Sequence, residues 1–320
     1  MKKILLLLAF FASTVAFSAE PVDWRALWDG DKSDWWDKPT EELRRLAAEK
    51  NPYAIMALAN KLYGEDESES KKLRLQAIDL GFPQAMLWLA EDSETPEAQA
   101  TALTARAAEM GFPRAELRLA VIAFDGGFRP DYDKALRLLR KAADGGYSDA
   151  MVDLAQVYAT GIGEPRNDAD KPIALLRAAA RIGNLDAAQE LEKRFRLGTG
   201  TEIDLLVSAY YYYRVRLVRP EQNGGFNRKF ELSRNPNKDA IELLQTLFEN
   251  AFTRRDNAAL LELAKLHQTG THGKPNLPRA CAILTVANSP EAAAKAKLLN
   301  PEDQKAMDRD LQWMKVQSHR

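Results

Sequence analysis

The pattern Ala-x-x-x-Leu-Ala, met five times along the chain, constrains this sequence more than any other feature. It sets Ala54, Leu58 and Ala59 in register with Ala85, Leu89 and Ala90, then with Ala115, Leu119 and Ala120, with Ala150, Leu154 and Ala155, and with Ala259, Leu263 and Ala264. A sixth copy, Ala187 and Leu191, carries Glu192 in the last slot. Self-similarity with a period of about 30–40 residues is the mark of a helical solenoid, whose units bury their apolar faces only by stacking. The composition agrees. Ala, Leu, Arg, Lys and Glu are strong helix formers, and period-two runs of β-branched and aromatic residues are scarce, so the expected fold is all-α.

Each unit reads as two helices. The first starts after a turn, at Gly81-Phe82-Pro83, Gly111-Phe112-Pro113 or Gly146-Tyr147-Ser148. Glycine suits the left-handed residue that ends one helix, and proline suits the first turn of the next. Ala150, Leu154, Ala155 and Tyr158 then recur at i, i+4, i+5 and i+8, which is one helical face. This helix ends at glycine again, as at Gly126, Gly161, Gly198 and Gly270. A polar loop leads to a second helix with an ending such as Lys141-Ala142-Ala143-Asp144-Gly145.

The tract Asp149 to Gly163, with the paired ending at 140–146, resembles the Sel1-like repeat, a relative of the tetratricopeptide repeat. The resemblance covers about residues 51–215 and again about 240–290. It implies antiparallel helix pairs stacked into a right-handed α-solenoid that acts as an adaptor between proteins, and it implies no enzyme activity. Sel1-like proteins with a cysteine pair per repeat are a subgroup from which this chain departs, since Cys281 is its one cysteine.

The remaining segments divide the chain. Residues 1–18 read as a signal peptide: Lys2 and Lys3 form a basic start, Ile4 to Ala12 an apolar core, and small residues follow up to Ser18. That core is too short for a membrane span, and no cysteine follows it to carry a lipid anchor. A periplasmic or secreted location is the expectation. Residues 19–50 form a Trp-rich N-terminal cap, with Trp24, Trp28, Trp35 and Trp36 interleaved with aspartates. Residues 51–217 hold repeats. Residues 218–238, dense in Pro, Gly and Asn, read as a loop insertion. A further degenerate repeat fills 239–290, and capping helices with a tail fill 291–320, because an end repeat needs a polar outer face.

No catalytic constellation emerges. Asp29 to Asp34 resembles the start of a calcium loop, but Asp34 stands where the turn needs Gly and Thr40 where it needs Glu. His267, His272 and Cys281 fit no zinc spacing. His267 aligns with Tyr158 and Phe195, which predicts a packed, hydrogen-bonded core histidine. Ser70-Lys71-Lys72 reads as surface loop. There is no nucleophile elbow and no phosphate loop. The reading is therefore no catalytic residue, no metal and no cofactor. A formal net charge of −1 offers no field for nucleic acid.

What remains is the surface. The family resemblance implies that first helices line the concave face. Two positions after the leading Ala fall Met56, Leu87, Leu117, Val152, Gln189 and Leu261, a column that is either inter-repeat core or an apolar peptide groove. Six positions after it fall Asn60, Glu91, Val121, Gln156, Lys193 and Lys265. From these columns the candidate partner-binding residues are Asn60, Glu91, Val121, Val152, Gln156, Gln189, Lys193, Leu261 and Lys265. Lys193 and Lys265 point to a protein or peptide partner of acidic character. A cell-envelope glycan on the Trp-rich cap is the alternative partner. A cell-wall hydrolase is a further alternative that lacks a triad or metal set.

Overall fold

A computed structural model describes residues 34–126, 130–162, 170–218 and 236–318. The signal segment, Trp24, Trp28, the acidic 29–33 turn, His319 and nearly all of the proposed 218–238 insertion lie outside the described residues. Within them the chain is helical, without strands. It forms two compact units, residues 1–112 and 113–320.

In the first unit the described helices are α1 (Asp34–Asp37), α2 (Thr40–Ala48), α3 (Pro52–Leu62), α4 (Glu67–Asp79), α5 (Pro83–Glu91) and α6 (Glu97–Glu109). From α2 onward, each packs on its chain neighbour. The cap of α3 follows from its sequence. Asn51 Oδ1 accepts from the Tyr53 and Ala54 amides at 3.0 and 3.1 Å, which satisfies amides that have no partner within the helix. Trp35 stacks on Tyr53 with centroids 5.8 Å apart, and Tyr53 meets Phe82 edge-on at 5.5 Å. These rings seat against a core of Leu43, Ile55, Leu58 and Phe82. Ser70 departs from the surface-loop expectation. It lies inside α4, is buried, and its hydroxyl donates to the Ala59 carbonyl at 2.7 Å, which ties α4 to α3.

The second unit contains α7 (Pro113–Phe124), α8 (Tyr132–Asp144), α9 (Ser148–Thr160), α10 (Asp170–Arg181), α11 (Leu185–Leu197), α12 (Leu205–Val218), α13 (Lys238–Phe252), α14 (Asn257–Thr269), α15 (Leu277–Val286), α16 (Glu291–Ala296) and α17 (Pro301–Ser318). Helices α7 to α15 pack consecutively, and α17 lies on α15. The leading alanine of the repeat pattern is 0–5% exposed in every copy of both units. Its small size is thus what lets neighbouring helix backbones approach.

Glu192, which breaks that pattern, is accommodated by pairing. It is buried; Arg196 Nε donates to its Oε1 at 3.0 Å and Ser208 Oγ donates at 3.4 Å. A buried carboxylate needs such partners.

The chain between Val218 and Asn257 interrupts the repeat, yet the helix pairs on either side of it are neighbours. The amide of Leu205 donates to the His272 carbonyl at 2.8 Å. Asp204, buried, accepts from the Val207 amide at 2.9 Å and from the Lys274 amide at 3.1 Å. The loop after α11 and the loop after α14 are therefore hydrogen-bonded to each other. At Gly273 an added Cβ would stand 2.1 Å from Asp204 Oδ1, so this contact requires glycine.

The tyrosine run 210–213 lies in α12. Tyr210, Tyr211 and Tyr213 are buried and Tyr212 is half-buried. Cys281 is a free, fully buried residue. His267 is packed as expected, at 1% exposure, but neither ring nitrogen has a hydrogen-bond partner. This corrects the expectation of a hydrogen-bonded histidine. In the repeat register this is the slot that holds the Tyr158 and Phe195 rings.

Candidate functional site

A concavity of the second unit is assembled at the C-terminal ends of two successive first helices, α9 and α11. It encloses about 520 Å³ and is lined by Gln156, Tyr158, Thr160, Glu190, Lys193, Arg194, Thr199 and Gly200, with Pro172 of α10 at its side. Gln156 and Lys193 occupy the same slot of successive repeats. Stacking the repeats is thus what brings them to one groove.

Its charge is set by the surrounding side chains. Arg194 is buried and donates from Nε to Glu190 Oε1 at 2.6 Å. The Lys171 ammonium lies over the Tyr158 ring at 5.6 Å, and Arg140 Nε donates to the Tyr158 hydroxyl at 3.3 Å. Lys193 is exposed. Among the lining residues Lys193 and Arg194 stand against the carboxylate of Glu190, so the wall carries one net positive charge, which favours an acidic ligand.

The other predicted residues are placed singly. Gln189 and Lys265 are exposed, Val121 is 50% exposed and Leu261 is 42% exposed. Val152 is half-buried against the core of the second unit. In the first unit, Glu91 is exposed and ends α5. Asn60 is half-buried, and its Oδ1 accepts from Arg74 Nη2 at 2.8 Å, which occupies it within the unit. The preceding column divides: Met56 and Leu87 are core, Leu117 and Val152 are half-buried, and Gln189 and Leu261 are exposed.

The sequence columns missed Thr160, Arg194, Thr199 and Gly200. Three of these sit at or beyond the helix ends, where helical periodicity stops being informative. The signal for the last two was the Gly198-Thr199-Gly200 break, with both glycines in the left-handed region. Arg194 was legible only as an i,i+4 partner of Glu190.

Among the described residues, no cluster of three or more His, Cys, Asp or Glu is placed to hold a metal, and no helix is long and apolar enough to cross a membrane.

This architecture defines a helical-repeat protein, and comparison with known proteins names the repeat. Residues 113–147, 148–184 and 257–285 each match the Sel1 repeat, so the chain carries three Sel1 repeats. Among solved structures it is similar to a protective antigen of uropathogenic Escherichia coli displaying an SLR fold, at 18% identity and a TM-score of 0.50. That alignment covers 88% of this chain and spans 64% of the length of the antigen. A Sel1 repeat protein from Oxalobacter formigenes is 20% identical over 83% of this chain and 98% of its own, with a TM-score of 0.48. An immunity protein from Pseudomonas aeruginosa is 21% identical over 65% of this chain and 84% of its own, with a TM-score of 0.49. The likeness to the antigen is one of fold. No curated protein matches the chain by sequence. The described residues are thus all-α, and the chain carries three Sel1 repeats, a unit of helical scaffolds that generally serve protein–protein interaction.

Proposed function

We propose that this protein is an exported, non-enzymatic scaffold that binds an acidic segment of a protein partner through the exposed face of its first helices. The observation that carries the reading is the groove in which Gln156 and Lys193, equivalent residues of successive repeats, stand beside Arg194. Lys265 repeats the charge in the last unit. Export rests on the Lys2-Lys3 start and the apolar run Ile4 to Ala12. The chemistry of a peptide carboxylate meeting lysine and arginine also predicts strong salt dependence.

The reading is tested by fluorescence polarisation with a labelled peptide of alternating Glu and Gly. Binding that weakens with added salt and falls at least about tenfold in Lys193→Glu/Lys265→Glu is expected, the size of a lost close charge pair. Equal binding by the double variant would overturn the acidic-partner reading. Cell fractionation of the full chain tests export separately: retention in the bacterial cytoplasm would remove that part.

A further inference from the structure

The first unit holds a second cavity of different chemistry. It encloses about 410 Å³ beside Tyr63, just past α3, with Glu67 and Lys71 of α4, Trp88 and Glu91 of α5, and Asp92 on its rim. Both aromatic rings already bind a cation. The Arg74 guanidinium lies 4.7 Å from the Trp88 centroid and 5.5 Å from the Tyr63 centroid. Arg74 is 7% exposed. It stands beside both rings and donates to Asn60 Oδ1. Burial pushes its pKa down from the ordinary arginine value, as expected for a cation whose neighbours are rings and an amide rather than a carboxylate.

An aromatic ring attracts cations on both faces. Tyr63 is 67% exposed, so one of the two rings beside the buried arginine faces solvent. Three carboxylates against one lysine give the rim the opposite sign to the groove of the second unit.

We infer that this cavity receives an arginine side chain of a partner protein, whose guanidinium extends the stack begun by Arg74. Arginine fits better than lysine because its planar fork lies flat on a ring while pairing with a carboxylate at its edge. A carboxylate ligand is disfavoured, since it would meet Glu67, Glu91 and Asp92. This site is independent of the acidic-segment groove and stands or falls without it.

The test uses the full chain and Nα-acetyl-arginine amide, followed through the Trp88 indole N–H resonance assigned with Trp88→Phe. Nα-acetyl-citrulline amide, of the same shape without the charge, and Nα-acetyl-glutamate amide are the controls. A saturable shift with the arginine compound is expected, with citrulline weaker by at least about threefold, the size of an exposed cation–π contact. Tyr63→Ala and Glu67→Gln should each weaken binding by a similar factor while the melting curve stays in place. Both side chains are exposed, and Glu67→Gln alone decides the matter if Tyr63→Ala disturbs the fold. No shift, an equal response to citrulline, a preference for the glutamate compound, or unchanged binding by Glu67→Gln would each overturn the inference.

Discussion

Gly146 and Gly273 are both glycine for different reasons, and substitution separates them. Gly146 has φ +89° with open space around its missing side chain. Gly146→Ala then costs only the left-handed strain, about 1 kcal/mol. Gly273 instead lies against the buried Asp204 carboxylate, which two amides hold in place. Gly273→Ala should cost about 2–3 kcal/mol through overpacking. Urea unfolding of the two variants reads the difference; equal losses would show that Asp204 gives way.

His267 makes a residue-scale prediction about pH. Burial, then the nearby Arg279 charge, hold its pKa well below the usual value, so it is neutral in the folded chain. The unfolded chain protonates it near pH ~6.5. Unfolded protein therefore binds the extra proton, and stability is lost as pH falls below that value, by up to about 1.4 kcal/mol per pH unit. His267→Phe, which restores the ring type of Phe195, removes this contribution. The expected outcome is a smaller drop in urea midpoint between pH 7.5 and pH 5 than for the parent; an identical drop would refute it.

Elements show where sequence reading stops. The repeat helices were legible because each leading alanine is a packing requirement, and packing against a neighbouring helix imposes a local period. Contacts between distant side chains carry no such period. Arg74 reads as one more charge in the polar helix Lys71 to Gln76, yet it is buried between Tyr63 and Trp88. Thr199 and Gly200 reach the groove from a turn, where no face can be counted. The terminal helix shows the same limit. Residues 291–320 read as capping helices, a reading that names no contact. Arg279 of α15 donates from Nε and Nη2 to Asp310 of α17 at 3.0 and 3.4 Å, 31 residues away, with its guanidinium 4.0 Å from the Tyr210 centroid. Burial opposes the charge on Arg279, and Asp310 outweighs it, so its pKa is raised. Asp310→Ala leaves a partly buried cation without its carboxylate and should cost about 1–3 kcal/mol. Hydrogen exchange read along α17 should show the loss there first; uniform protection would argue against this anchor.

At the scale of the whole molecule, the two units differ in how they are closed. The core of the second is continuous from Ala155 to Met314 and draws on α9 to α17. The first has its own core from Leu43 to Ala85. Stability in such arrays is close to a sum of units and their nearest-neighbour contacts. Residues 113–320 expressed alone should therefore remain helical and melt cooperatively by circular dichroism. A molten, non-cooperative fragment would show that the second unit depends on the first. The candidate site belongs to this scale as well. Its columns follow from repeat register, but the groove exists only because two repeats stand side by side.

The hydrogen bonds between the loops after α11 and α14 have a consequence for how such a chain can change. They clamp together two helix pairs that are far apart in sequence, so the repeat register is carried across the interruption by the loops. New sequence between Val218 and Pro236 would alter the length of the chain without shifting the phase of the stack.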